Sequence, residues 1–293
     1  MKPLFVFLVT LPVSTLLAAQ APLVGGGPLT RHYRDGEALT YHMTATNDDW
    51  HYTADATGQV KKAAGGSYVE EFRWTGMTCN GQAVSLTPAT ADFRQPLSLD
   101  PANVPSGPNL SAVEPRMVGP ITDLMTFYVD LWLINRIGIL RQAGDHFYVP
   151  NPQEGSWANG THVLVGKDHV DFDLNIQSMD QTRRSAVVVV HHVPPAHPNL
   201  RFPAAWMEAA VADTPNNWVQ VKKTKEGKYE AGVGKETFNV SMIVSTTDGR
   251  ILSGSMDNPV VTSVRECDDV ALTKCGEALQ HTIRRHIEIT LVH

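Results

Sequence analysis

Two aspartates, Asp123 and Asp130, stand seven residues apart in the most apolar internal stretch of the chain. On a helix that spacing puts them on nearly one face, about 10 Å apart along the axis. Carboxylates separated in this way can divide general-acid and general-base roles between them, which makes them the candidate catalytic residues. Plainer uses stay open. Asp123 suits the positive N-terminal end of a helix, and Asp130 can be a single satisfied polar contact, with Arg136 or a strand arginine as partner.

Histidine supplies the metal candidates. His191, His192 and His197 lie close together, and His169 can sit on a neighbouring strand. Imidazole is a common zinc ligand. Side chains alternate between faces along a strand, so His191 and His192 point opposite ways and at most one meets His197, where the chain bends at Pro194. No metal is expected, with His191 and His197 the residues that would carry one. Asp171-Phe172-Asp173-Leu174-Asn175 begins like a calcium loop, but Ile176 stands where glycine is needed and Thr182 where the bidentate glutamate belongs. It reads as a solvent-facing strand. Gly232-Val233-Gly234-Lys235 lacks the spacing of a phosphate loop and reads as a bulge or bend in a strand. There is no Gly-x-Ser-x-Gly, Walker, His-Glu-x-x-His or Gly-x-Gly-x-x-Gly motif. No cofactor is expected, and a noncatalytic role is favoured. Cys267 and Cys275 bracket a short loop that an oxidised pair would staple, leaving Cys79 over.

These residues need elements to hold them. Pro120–Gly138 reads as a helix: proline suits its first turn and glycine closes it. Its apolar residues cover nearly the whole circumference, which places it in a core or a membrane. Asp123, Asp130, Asn135 and Arg136 argue for a core. Around it the pattern is mainly β. Leu39, Tyr41, Met43 and Ala45 alternate with polar residues, as do Trp50, Tyr52, Ala54 and Ala56, and Glu70, Phe72 and Trp74 oppose Val69, Glu71 and Arg73. Asn80-Gly81 marks a tight hairpin. Residues 87–119 hold Pro88, Pro96, Pro101, Pro105, Pro108 and Pro115 and read as a long extended connection. Val170–Ile176, Ala186–Val193, a hairpin at Glu226-Gly227, Phe238–Met256 turning at Asp248-Gly249, and Thr282–Leu291 complete the strands. The valine run in Ala186–Val193 suggests burial on both faces, and Ala204–Ala210 a short helix.

The 293 residues are 42% hydrophobic and 18% charged, with 22 glycines, 19 prolines and a formal net charge of −6. That balance excludes a disordered, collagen-like or polytopic membrane chain. It also argues against nucleic acid as a partner, because no basic cluster offsets the acidity. Met1-Lys2-Pro3, the apolar run from Leu4 and the small residues Ala18, Ala19 and Ala21 have the layout of an export signal. The expected organisation is a signal peptide over 1–19, a flexible segment over 20–36, and a single β-rich domain over 37–293. After cleavage no membrane span remains. The expected location is periplasmic or extracellular; the oligomeric state stays open.

Antiparallel strands, one apolar helix, then further long strands with Asp248-Gly249-Arg250-Ile251 at a hairpin turn resemble the periplasmic lipoprotein carriers, in which an incomplete β-barrel is closed by a helix. The resemblance implies a mainly β (α+β) fold, a curved antiparallel sheet wrapped round the helix, and a concave face that holds acyl chains. By chemistry, such a face would be lined by Trp50, Tyr52, Phe72 and Trp74 from the sheet and Leu124, Phe127, Tyr128, Leu131 and Trp132 from the helix. The same residues would also make a dry core. The expected function is binding of a lipid or other apolar or amphipathic molecule in the cell envelope. The alternatives are an envelope hydrolase using the helix carboxylates and a structural or partner-binding module.

Overall fold

The computed structural model describes residues 27–292 apart from 49, 64–65, 111–112, 151–154, 158–162, 169, 196–199, 201 and 209–216. In chain order the elements are β1 (Ala38–Asn47), β2 (Trp50–Lys62), β3 (Tyr68–Cys79), β4 (Gln82–Ala83), α1 (Pro88–Ala91), β5 (Gln95–Leu97) and α2 (Pro115–Ile137). There follow β6 (His146–Val149), β7 (Gly155–Trp157), β8 (Val163–Asp168), β9 (Asp171–Asp180), β10 (Ser185–Val193) and α3 (Ala205–Glu208). The chain ends with β11 (Trp218–Lys223), β12 (Tyr229–Glu236), β13 (Phe238–Ser245), β14 (Ile251–Cys267) and β15 (Leu279–Val292).

The strands form one antiparallel sheet that does not close. Its spine runs β4-β3-β2-β1-β15-β14, with β5 added to β3. At β14 the sheet forks. The N-terminal half of this 17-residue strand pairs β13, which leads through β10 and β9 to β6. Its C-terminal half pairs β12, which leads through β11 and β8 to β7. The fork falls at Pro259, which has no N–H to give a ladder and whose carbonyl accepts from Thr237 N at 3.3 Å.

The first arm and the spine wrap α2. Every residue from Pro120 to Asn135 is buried, because Tyr41, Met43, Phe72, Leu174, Val188, Val240, Met256 and Ile289 face the helix from the inward positions of their strands. Gly254 lets Phe127 touch the sheet: a Cβ there would fall 2.9 Å from its ring. The second arm has a core of its own, with Met207, Val219, Val221, Ala231, Val233 and Leu272 beside the Cys267–Cys275 disulfide. The expected bridge is therefore present, and Cys79 is a half-buried free thiol.

Several expectations need correction. The helix starts at Pro115, five residues earlier than read from the sequence, so Pro120 lies inside it. The carbonyl that Pro120 cannot satisfy belongs to Arg116, which is exposed to water. Gly138 closes the helix as expected, at φ +66° with its N–H on Ile134 O. The connection 87–119 also contains α1, β5 and the first turn of α2. Strand β10 is buried on one face only: Ala186, Val188, Val190 and His192 point inward while the residues between them are half-exposed. Gly232 and Gly234 form no bulge, since β12 keeps an unbroken register on both sides. They make room for Trp218, whose ring would lie 2.4 Å from a Cβ on Gly234.

The described part of the segment expected to be flexible, 27–36, is docked. Leu29 and Arg31 are buried, His32 N donates to Asp248 O at 2.9 Å, and Thr30 passes over Gly249 so closely that a Cβ would meet its carbonyl at 2.4 Å. Residues 1–26 lie outside the described set, as do His169, His197, Ala209 and Ala210.

Candidate functional site

A helix apolar on all sides carries few polar groups, and here Asp123, Asp130 and Tyr128 are each aimed at a different wall. Asp123 and Asp130 lie about 20° apart on one face, and Tyr128 and Trp132 lie roughly opposite. Asp123 sits more than two turns into the helix, too far from the N-terminus to be a dipole charge. Its Oδ2 accepts from the Tyr52 hydroxyl at 2.6 Å and its Oδ1 from the Arg285 guanidinium at 2.5 Å. The strand arginine is thus its partner, and Arg136 instead donates to Pro101 O at 2.8 Å. Burial opposes the charge on Arg285, but contact with Asp123 outweighs it and holds the guanidinium above its ordinary pKa. Burial and Asp123 together push the Tyr52 phenol well up. Arg285 reaches on to Asn258, which donates to Glu236 Oε1 and Thr237 O. This polar chain runs along the fork of the sheet, where the two strand ladders part.

Asp130 bonds a different wall. Its Oδ1 lies 2.7 Å from His192 Nε2 of β10, and both side chains have 0% exposure. The rings of Phe172 and Phe238 flank the imidazole, with centroids at 4.7 and 5.1 Å. Burial raises the Asp130 carboxyl above the ordinary range, and His192 pulls only partly against it. Among the described residues, Asp130 Oδ2 and His192 Nδ1 have no hydrogen-bond partner.

The opposite face meets β3 and the proline-rich strap. Tyr128 donates to Glu70 Oε2. Glu70 Oε1 accepts from Arg31 Nε at 2.8 Å, and Arg31 also reaches Glu37 at 2.9 Å. The Arg31 guanidinium lies 4.5 Å from the centre of the Tyr33 ring. Burial lifts the pKa of Glu70, with Arg31 opposing. Further along the helix Trp132 Nε1 donates to Asp100 O at 3.0 Å, and Leu99 N donates to Tyr33 Oη at 2.7 Å. The strap is therefore tied both to α2 and to the docked N-terminal segment. Beneath it lies a cavity of about 280 Å³, bounded by Val69, Leu97, Ser98 and Asn103 on one side and by Tyr128 and Val129 of the helix on the other.

Of the nine residues expected to line a binding face, Tyr128 borders this cavity. Tyr52, Phe72, Trp74, Leu124, Phe127, Leu131 and Trp132 are packed in the core with 0–2% exposure. Trp50 is half-buried at its edge, its ring 5.3 Å from that of Tyr52. The candidate catalytic residues Asp123 and Asp130 are not brought together as a pair, because each is held by a separate wall. His191 and His192 do point to opposite faces. His191 bonds Asn239 on the outer face, and among the described residues no group of three or more His, Cys, Asp or Glu is placed to hold a metal. Asp171 and Asp173 belong to β9, where they bond Tyr148 and His146.

Sequence reasoning did not single out Arg31, Glu70 or Arg285, and it weighed His192 only as a metal ligand rather than as the partner of Asp130. A signal existed for three of them. Glu70 shares the inward parity of Phe72 and Trp74, His192 that of Val188 and Val190, and Arg285 that of Ile283 and Ile287. A charged or polar side chain on a core-facing parity needs a buried partner. Arg31 carried no such signal, since no periodic pattern surrounds it. Comparison with known proteins finds no matching family model, curated protein or solved structure.

Proposed function

We propose that this is an exported, noncatalytic protein that binds an apolar or amphipathic small molecule in the manner of a lipid carrier. The observation that carries the reading is the cavity between strap and helix. It lies between β3, β5, the strap and α2, and its lining mixes apolar groups with Ser98, Asn103, Ser106 and the Tyr128 ring but includes no charged residue. A ligand there has an uncharged body and meets polar as well as apolar groups. About 280 Å³ is the space of roughly nine water molecules, enough for one short chain or ring; a longer acyl chain requires the strap to lift. The disulfide fits an oxidising compartment. The hydrolase reading is weaker, because a general acid must reach its substrate and both helix carboxylates are buried and bonded to their own partners.

The test is binding of a fluorescent fatty-acid probe, combined with native mass spectrometry of protein purified from its own host. The expected result is one ligand per chain, lost in Val129→Trp, which fills the cavity from the helix side. Absence of both co-purified lipid and probe binding overturns the proposal.

A further inference from the structure

We propose that Asp130 and His192 form a proton-holding latch between the central helix and the β10 wall, and that loss of its proton at higher pH loosens the helix beside the cavity. The inference rests on the proposed binding function only for what the latch controls.

The pair is closed off from compensation. Both side chains have 0% exposure, the ring is sandwiched by Phe172 and Phe238, and among the described residues the second polar atom of each has no partner. Among the described residues, the other titratable groups on the surrounding elements face elsewhere. On β9, Asp171 and Asp173 are engaged by Tyr148 and His146. On β10, His191 turns outward to Asn239 of β13. On α2, Asp123 is neutralised by Arg285. An apolar box of this kind favours the state with no net charge, in which Asp130 and His192 together hold one titratable proton. When that proton leaves for solvent, a net negative charge remains with no second donor to receive it. Asp130 is the residue after Tyr128 and Val129, which form the cavity's helix wall, so a shift of the helix at the latch moves that wall.

Asparagine has the shape of protonated aspartate and never releases the proton, so Asp130→Asn is the decisive variant. Unfolding equilibria of wild type and variant are measured in urea from pH 5 to pH 9. In the unfolded chain an aspartate has lost its proton above about pH 4. The wild-type folding constant is therefore expected to fall relative to that of Asp130→Asn by up to tenfold per pH unit, levelling off where the native pair deprotonates. A ratio that is flat with pH overturns the latch.

Should Asp130→Asn not fold, the apolar pair Asp130→Leu with His192→Phe decides. Against it the fall begins only above about pH 6.5, where the unfolded histidine no longer holds a proton. Probe affinity, read over the same range, should drop in wild type as the ratio levels off and stay constant in Asp130→Asn. If the ratio behaves as expected but affinity ignores pH, control of the cavity is refuted. If no probe binds at any pH, the binding function fails while the latch stands.

Discussion

Replacing Arg31 by methionine keeps most of the side-chain volume and removes the cation that pairs Glu70. Both side chains are 1% exposed, and the bond between them is 2.8 Å. Taking away one partner of a buried ion pair costs about 3–5 kcal/mol, because the remaining charge is left without compensation. Glu37 suffers less, since Arg250 still reaches it at 3.3 Å. A loss of that size lowers the melting temperature by roughly 6–20 °C in a domain of this scale. The deficit should also depend on pH. Burial already raises the Glu70 carboxyl above its unfolded value, and without Arg31 nothing but Tyr128 opposes that rise. A group with a raised folded pKa favours folding at pH below its unfolded value and loses that advantage as pH climbs through the folded one. Arg31→Met is therefore expected to be closest to wild type near pH 5 and furthest from it at pH 8. Urea unfolding followed by tryptophan fluorescence at the two pH values measures this. Adding Glu70→Gln to Arg31→Met should recover most of the loss at pH 8. A cost below about 1 kcal/mol, as for an exposed pair, or an equal cost at both pH values refutes the reasoning.

Two further perturbations test the strap and the second arm. Trp132→Phe keeps a six-membered ring but loses the indole N–H that bonds Asp100 O; the lost bond and the space left by the smaller ring should together cost roughly 1–3 kcal/mol and speed amide exchange in residues 98–106 more than elsewhere. Reduction of Cys267–Cys275, whose cysteines are eight residues apart, should cost about 2–3 kcal/mol by loop entropy. Its effect on exchange should be concentrated in β12 and the end of β14 and leave the amides of α2 as protected as before.

The periodic signals in the sequence proved dependable where burial is one-sided. The alternation from Leu39 to Ala45 is β1, with its apolar residues inward, and Asn80-Gly81 makes the expected two-residue turn between Cys79 and Gln82. The all-round apolar helix lies in the core, as its circumference and its four polar residues together indicated. Errors arose where the same residues serve two environments. Valine suits an inward and an outward position of a strand alike, so the run in β10 could not show that one face is half-exposed. Gly-Val-Gly-Lys was ambiguous for a related reason: a glycine is silent about whether it bends a strand or admits a ring, and only the position of Trp218 decides.

The sequence by itself determined the class of the fold and the identity of its central element. Hydrophobic period is a local property, and a helix with no polar face must go to a core or a membrane, between which Asp123, Asp130, Asn135 and Arg136 favour the core. It also determined that Asp123 and Asp130 would need partners, because an isolated charge in that setting is too costly to keep. Which partners they found was decided only in three dimensions. Arg285 lies 162 residues from Asp123, His192 62 from Asp130, and Arg31 39 from Glu70. Such pairings depend on strand order and on the fork at Pro259, which no local pattern encodes. The two aspartates share a helix face and still meet different strands, one against β2 and β15 and the other against β10. That divergence turned an apparent catalytic pair into two separate anchors of one buried helix.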